Sequence, residues 1–253
     1  MKLDWLADQG KVALSLLAAL LVWWAVAASG LVSPDLFPTP LAVWRAAVEL
    51  YDDGLLFSDL QASLGRAAIG FVIGATLGVT VGLLTSRTRL FRLALNPILS
   101  LCRPIPAIAI VPVAIVWFGI GDGSKYFVIS YAVFLTVWLA THHGMEHVPE
   151  TYIRASRSLG APLGREFFQV VIPAAAPHIV SGLRMGAALA FLSLVAAELT
   201  GASSGIGYRL QEARQYLRMD RMFVGLVELG ILGALLDYAF LSLSRYLVHW
   251  EQN

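Results

Sequence analysis

Charge is scarce in this sequence. Only 14% of its 253 residues are Asp, Glu, Lys or Arg, while 58% are hydrophobic and the mean hydropathy is +0.71. A soluble domain must cover its surface with polar groups, so this balance excludes one and places the chain in a bilayer. Cysteine is nearly absent: with Cys102 alone, no internal disulfide can form and thiol usage says nothing about compartment. The net charge of +1 lacks the basic excess that a nucleic-acid partner requires. No G-x-x-x-x-G-K-[ST] stretch occurs, which excludes ATP binding through a phosphate loop of the chain's own.

What is present is a series of apolar runs. A helix needs about 20 residues to cross ~30 Å of hydrocarbon, and runs near that length fall at 12–32, 64–84, 98–120, 124–142, 178–200 and 223–245. The expected fold class is therefore all-α, a polytopic membrane protein with six transmembrane helices in one domain over 1–253. The first run follows Lys2 and Lys11 and is trailed by PDLFPTP, without a small-residue cleavage site. It reads as a retained anchor over 1–35, ahead of core helices over 60–245. With both termini in the cytoplasm, the inner segments carry Lys2, Lys11, Arg87, Arg89, Arg92, Arg154, Arg157, Arg165 and Arg245, with Arg103 and Arg184 near inner helix ends. The outer ones carry Arg45, Arg66, Lys125, Arg209, Arg214, Arg218 and Arg221, a modest inside bias.

Between the runs, FPTPLAVWRAAVELY reads as a short helix with Thr39 as N-cap and Pro40 in the first turn, where its missing N–H costs nothing. Its stripe Leu41, Trp44, Val48 and Tyr51 either lies along the membrane surface or packs on the protein's own helices. Gly70, Gly74, Gly78 and Gly82 recur every fourth residue, which puts them near one face as a close-packing ridge. The third run holds Pro104, Pro106 and Pro112, each of which removes a helical hydrogen bond, so it is expected to kink or break. Broken backbone is tolerated in a membrane only where protein or a wet cavity satisfies it, so this run should line something. Arg103 beside the break either faces a pathway or snorkels to the inner interface.

ASRSLGAPLGREFFQVVIPAAAP, from Ala155 to Pro177, stands apart as a polar stretch marked by Gly160, Pro162, Gly164, Pro173 and Pro177. Glu150 to Leu159 can form one helix, Gly160 with Ala161 and Pro162 can stop it, and Arg165 to Val171 can form a second before Pro173. Two short helices joined by a sharp turn make a knob, with Leu159 and Leu163 as small apolar anchors.

At these residues the chain resembles the inner-membrane permease subunits of ATP-binding cassette importers. Their cytoplasmic loop carries E-A-A, three residues, G, nine residues and I-x-L-P. Here the pattern reads Arg154-Ala155-Ser156, then Gly160, then Val170-Val171-Ile172-Pro173, with Arg154 and Ser156 replacing Glu and Ala. RPIPAIAIVPVAIVWFGIGDGSK (103–125), ASRSLGA (155–161), VIPAAAPHIVSGLRMG (171–186) and LVAAELTGASSGIGY (194–208) resemble the nitrate, sulfonate, taurine and bicarbonate branch. The resemblance implies a type I importer permease fold and a coupling loop over 150–175. In it Arg154, Ala155, Ser156, Ser158, Leu159, Gly160, Ala161, Leu163 and Pro173 would meet a separate ATPase that carries the ATP and Mg, with no cofactor on this chain. It also implies a second permease copy, an external solute-binding protein, surrounding lipid, a bacterial inner membrane, and a small solute such as sulfonate, taurine, nitrate or bicarbonate.

Ionisable groups in the apolar runs are functional candidates or structural pairs. Glu198, Glu228 and Asp237 are three, with Arg209, Arg214 or Arg221 as possible partners of Glu198. Arg103, Trp117, Ser193 and Glu198 are the candidates for lining a pathway. GASSG (201–205) matches the G-x-S-x-G elbow of serine hydrolases, and an intramembrane serine protease using Ser203 is the alternative from another class. It would need a histidine in reach, yet His142, His143, His147, His178 and His249 all fall at inner helix ends, about one bilayer thickness, ~30 Å, away. His143 and His147 have a spacing that can bind zinc but lack the H-E-x-x-H order, and a polar helix end is the preferred reading. Gly205-Ile206-Gly207 has no strand before it and reads as a turn. A secondary transporter acting alone is the remaining alternative.

Overall fold

The computed structural model describes residues 2–247, and over them the chain is helical, with no strand. His249 lies outside the described residues, as do the side chains of Lys2 and Arg245. In chain order the elements are α1 (Lys2–Ala28), α2 (Pro40–Asp52), α3 (Leu55–Arg87), α4 (Arg89–Cys102), α5 (Ala107–Phe118) and α6 (Asp122–Glu146). They continue as α7 (Glu150–Ser158), α8 (Leu163–Glu166), a π-helical turn (Phe167–Val171), α9 (Ile172–Gly201), α10 (Ile206–Gln215) and α11 (Met219–Leu247).

Four helices are long and apolar enough to cross a bilayer: α3, α6, the continuous rod 163–201 that joins α8 to α9, and α11. The pair α4 and α5 makes a fifth if counted as one span, but it bends by 104°. The expected sixth, in α1, has a described apolar stretch of only Leu14–Ala28. At 1.5 Å per residue that covers about 22 Å, less than the hydrocarbon thickness. Among the described residues, four spans, or five with the bent pair, meet the length and composition of a crossing helix.

The centre of the bundle is α6, held between α3 and α9. A Cβ at Gly74, Gly78 or Gly82 would sit 2.6–2.8 Å from Ser130, Val137 or Thr141 on α6, so α3 approaches to backbone contact all along the glycine ridge. On the other side Gly182 faces Ala140 and Gly186 faces Val137. Lipid tails give no hydrophobic drive for helix pairing, so this close van der Waals fit is what holds the three helices together. Ile129, Val133 and Val137 of α6 are fully buried there with Ala75, Ala190 and Leu194.

Thr39 caps α2 by accepting from the Ala42 amide at 3.2 Å, with Pro40 in the first turn. One face of α2, Val43, Ala46 and Leu50, packs on Val224 of α11. The stripe Leu41, Trp44, Val48 and Tyr51 faces outward and does not pack on the chain's own helices. The break between α4 and α5 falls on Arg103–Pro106, where Pro104 and Pro106 cannot donate to a helical ladder.

Candidate functional site

Three features could do work in this bundle: a polar elbow at one end, a charged clamp at the other, and a groove between them.

The elbow is built by local chemistry. Gly160 ends α7 in the left-handed region, φ +75°, where a Cβ would be strained. The Gly160 amide donates to the Arg157 carbonyl at 2.9 Å and the Ala161 amide to Ser156 at 3.1 Å, the paired bonds of a Schellman stop. Across the turn, Arg157 makes a two-pronged contact to the Glu166 carboxylate at 2.7 and 3.1 Å. That hydrogen bond, with the carboxylate's charge, holds the Arg157 pKa above its usual value. Ser156 is buried and donates to Ile153, and Ser158 donates to Arg154. Arg154 pairs with Glu150 one turn earlier, at 2.7 Å. Leu159 at the tip is 88% exposed and Leu163 61% exposed, so both anchors point away from the bundle.

The second elbow helix was expected to stop before Pro173; instead it runs into the membrane rod. The ladder opens by one residue, with the Ile172 amide donating to Phe167, so the missing Pro173 N–H falls at the joint between two registers. The second helix of the knob and the rod are therefore one continuous piece of helix.

At the far end of that rod, Glu198 is 1% exposed. Its carboxylate accepts from Arg66 at 2.7 Å, lies 2.9 Å from the Ser63 hydroxyl, and accepts from the Gly207 amide at 2.9 Å. Arg66 also donates to Asp122 at 2.7 Å and to the Ser204 carbonyl at 2.6 Å. Asp59 accepts from the Gly205 amide and from Arg209, each at 2.8 Å. Burial lowers the Arg209 pKa, but the bonds to Asp59 and Glu212 outweigh it and leave it raised. The ammonium of Lys125 caps the Gly121 and Gly201 carbonyls at 2.9 Å. A Cβ at Gly205 or Gly207 would run into Glu198, so the two glycines let the chain wrap the carboxylate.

The partner of Glu198 is thus Arg66, not Arg209, Arg214 or Arg221. A signal for it existed: Asp59, Ser63 and Arg66 continue the stripe of Gly70, Gly74, Gly78 and Gly82 toward the start of α3. Asp237 pairs with Arg184 at 2.8 Å between α11 and α9. Glu228 has a buried carboxylate oxygen with no partner.

Of the four pathway candidates, Glu198 is sealed in the clamp, while Ser193 donates its hydroxyl to the Leu189 and Ala190 carbonyls and borders the smaller of the two cavities that Arg103 lines. Trp117 is exposed, its ring edge-on to Phe127 at 5.8 Å. Arg103 lines two cavities along α6 and α9, of 480 and 350 Å³.

Ser203 is exposed beside the clamp, whereas His142, His143, His147 and His178 adjoin one another near the elbow. Residues 178 and 201 of α9 are about 35 Å apart along the helix, so the described histidines cannot serve Ser203. The serine protease reading is not favoured. His147 Nδ1 bonds the His143 carbonyl at 2.8 Å, a helix-end contact and not a metal-ligand pair.

A bundle of helices long and apolar enough to cross a membrane, ending in a polar elbow that points away from it, is the architecture of a polytopic membrane subunit. Residues 70–250 match the family described as binding-protein-dependent transport system inner membrane component, and the chain belongs to that family. It is 35% identical to the putative aliphatic sulfonates transport permease protein SsuC of Bacillus subtilis, over 92% of this chain and 84% of that one. It is 35% identical to the taurine transport system permease protein TauC of Escherichia coli, over 99% and 94%. Identity to the nitrate import permease protein NrtB of Synechocystis is 33%, over 94% and 89%. These relatives place it in the sulfonate, taurine and nitrate branch of ATP-binding cassette permeases. Its fold is similar to a subunit of the MetNI methionine ABC transporter, with TM-score 0.66 and 23% identity over 76% of this chain and 96% of that one.

Proposed function

We propose that this chain forms the translocation pathway of an ATP-driven importer for a small anion of the sulfonate, taurine, nitrate or bicarbonate class. A separate ATPase supplies the drive and holds the ATP and Mg. Two copies of the chain pair in a bacterial inner membrane with both termini in the cytoplasm, and an external binding protein delivers the solute. The observation that carries this reading is the elbow: a stopped and ion-paired knob, apolar at its tip, whose second helix runs without interruption into α9. A docked ATPase that grips Leu159 and Leu163 moves a membrane helix directly. Arg154, Ala155, Ser156, Ser158, Gly160, Ala161 and Pro173 shape and aim that knob.

Single cysteines introduced over 157–165 should crosslink to a copurifying ATPase, and ATP hydrolysis should depend on that contact. Thiol reagents that reach those positions only from the external side would refute the reading. Solute uptake that persists without the ATPase would favour a transporter acting alone.

A further inference from the structure

The α4–α5 break leaves a cation in an unusual place. Tyr131 lies nine residues into α6 from Asp122, about 13 Å along the helix, and donates to the Cys102 carbonyl at 2.7 Å. The bend, and Arg103 with it, is thereby pinned near half of a roughly 30 Å span. Arg103 is exposed and has no ion pair or side-chain hydrogen bond among the described residues, unlike Arg66, Arg184 or Arg209. A guanidinium at that depth is costly unless it faces water or a ligand. It borders both cavities, and neither is lined by an Asp or a Glu. Thr136 also borders both, Tyr131 and Ser181 add hydroxyls, and Leu135 and Leu189 give apolar walls. The first turn of α5 opens into the second cavity at Ala107 and Ile108, so its partial positive charge adds to that of Arg103.

We propose that this groove is a transit site for a small organic anion, with Arg103 taking the oxyanion and the leucine walls taking a short alkyl part. The site rests on the transport reading above and says where in the chain the anion is recognised. Arg103 therefore faces the pathway and does not snorkel. A cationic solute meets an unopposed positive charge there and is turned away.

The test uses the permease in its membrane complex, with Cys102→Ser as background and Thr136→Cys as reporter. The thiol is labelled with a negatively charged sulfonatoethyl methanethiosulfonate or its positively charged trimethylammonium counterpart, each rate normalised to that reagent's rate with a free thiol. The anionic reagent should be favoured by about tenfold, the effect of one unit charge a few ångströms away in a partly wet groove. Arg103→Gln should abolish the preference and Arg103→Lys should keep it. Ethanesulfonate should slow the labelling in the background with Arg103 intact, a readout that does not depend on the folding of either Arg103 variant. Equal normalised rates, a preference that survives Arg103→Gln, no protection by ethanesulfonate, or a reporter that neither reagent reaches would each overturn the proposal. The ATPase crosslinks fail or succeed separately, so a lost coupling reading is distinguished from a lost anion site.

Discussion

Glu198→Ala would remove at one stroke the acceptor that Arg66, Ser63 and the Gly207 amide share. Deleting one partner of a buried ion pair costs about 3–5 kcal/mol, because the survivor stays buried without compensation. Arg66 would keep Asp122 at 2.7 Å and Ser204 at 2.6 Å. The expected loss therefore lies at the lower end, about 3 kcal/mol. For a chain of this size a loss of 1 kcal/mol lowers the midpoint by about 2–4 °C, so thermal unfolding in detergent should shift down by about 6–12 °C. Glu198→Gln keeps the shape and one acceptor oxygen and should cost about half as much. The double variant Arg66→Met with Glu198→Leu removes both charges and should recover part of the loss, the remainder being the Gly207 amide and the Ser63 hydroxyl left without their acceptor. A midpoint for Glu198→Ala within about 2 °C of the parent, or a double variant no better than the single, would refute the view that a mutually satisfied charge cluster holds this end together.

Three further outcomes follow from other contacts. Gly78→Leu should abolish accumulation of folded protein, because even its Cβ would lie 2.8 Å from Val137 and 2.9 Å from the Phe134 carbonyl. Gly65→Ala, with nothing within 4 Å, should be tolerated, and fluorescence-detected size exclusion compares the two. Leu159→Asp should leave the melting midpoint unchanged, as an exposed substitution does within about 0.5 kcal/mol, yet lower ATP-dependent uptake at least tenfold if the tip seats in an apolar groove of the ATPase. Gly160→Val forces a β-branched residue to φ +75° at a cost of about 1–3 kcal/mol, and should reduce crosslinking from position 159 to the ATPase more than it reduces expression.

The parts of this architecture that sequence revealed are those fixed over one or two helical turns. Thr39 and Pro40 start α2, the every-fourth glycines mark the α3 face that meets α6, and Gly160 stops α7, all through chemistry that neighbours in sequence supply. Pro104 and Pro106 located the break after α4, but its 104° angle depends on how Tyr131 of α6 holds the bend. Glu198 and Arg66 are separated by 132 positions: the stripe of Asp59, Ser63 and Arg66 marks a polar face on α3, but nothing near it in sequence names Glu198 as what that face meets. Pro173 misled because a proline ends a regular α-ladder, whereas one π turn lets the helix continue. Among the pathway candidates, residue type alone could not separate Glu198 from Arg103. Both are charged and both lie in apolar runs, and only the three-dimensional placement of partners shows one satisfied and the other without an ion pair among the described residues.

That difference in satisfaction also divides the labour along the rod. Residues 163–201 begin at the exposed anchor Leu163 and end beside the buried carboxylate of Glu198. Under the proposed function, the ATPase therefore pushes on one end of a helix whose other end is tied to α3 and α6 through Arg66 and Asp122. A rod loose at the clamp would slide and leave the groove unchanged. A rod fixed there must tilt, carrying Thr136-facing residues such as Leu189 past Arg103. The π turn at Phe167–Val171 breaks the α-register and Pro177 removes a ladder hydrogen bond one to two turns later, so bending concentrates over that stretch, next to the knob and away from the clamp. Fully paired charges at the clamp and an unpaired one in the groove are then two requirements of the same motion: the first gives the lever a fulcrum, and the second gives the solute something to exchange with as the walls move.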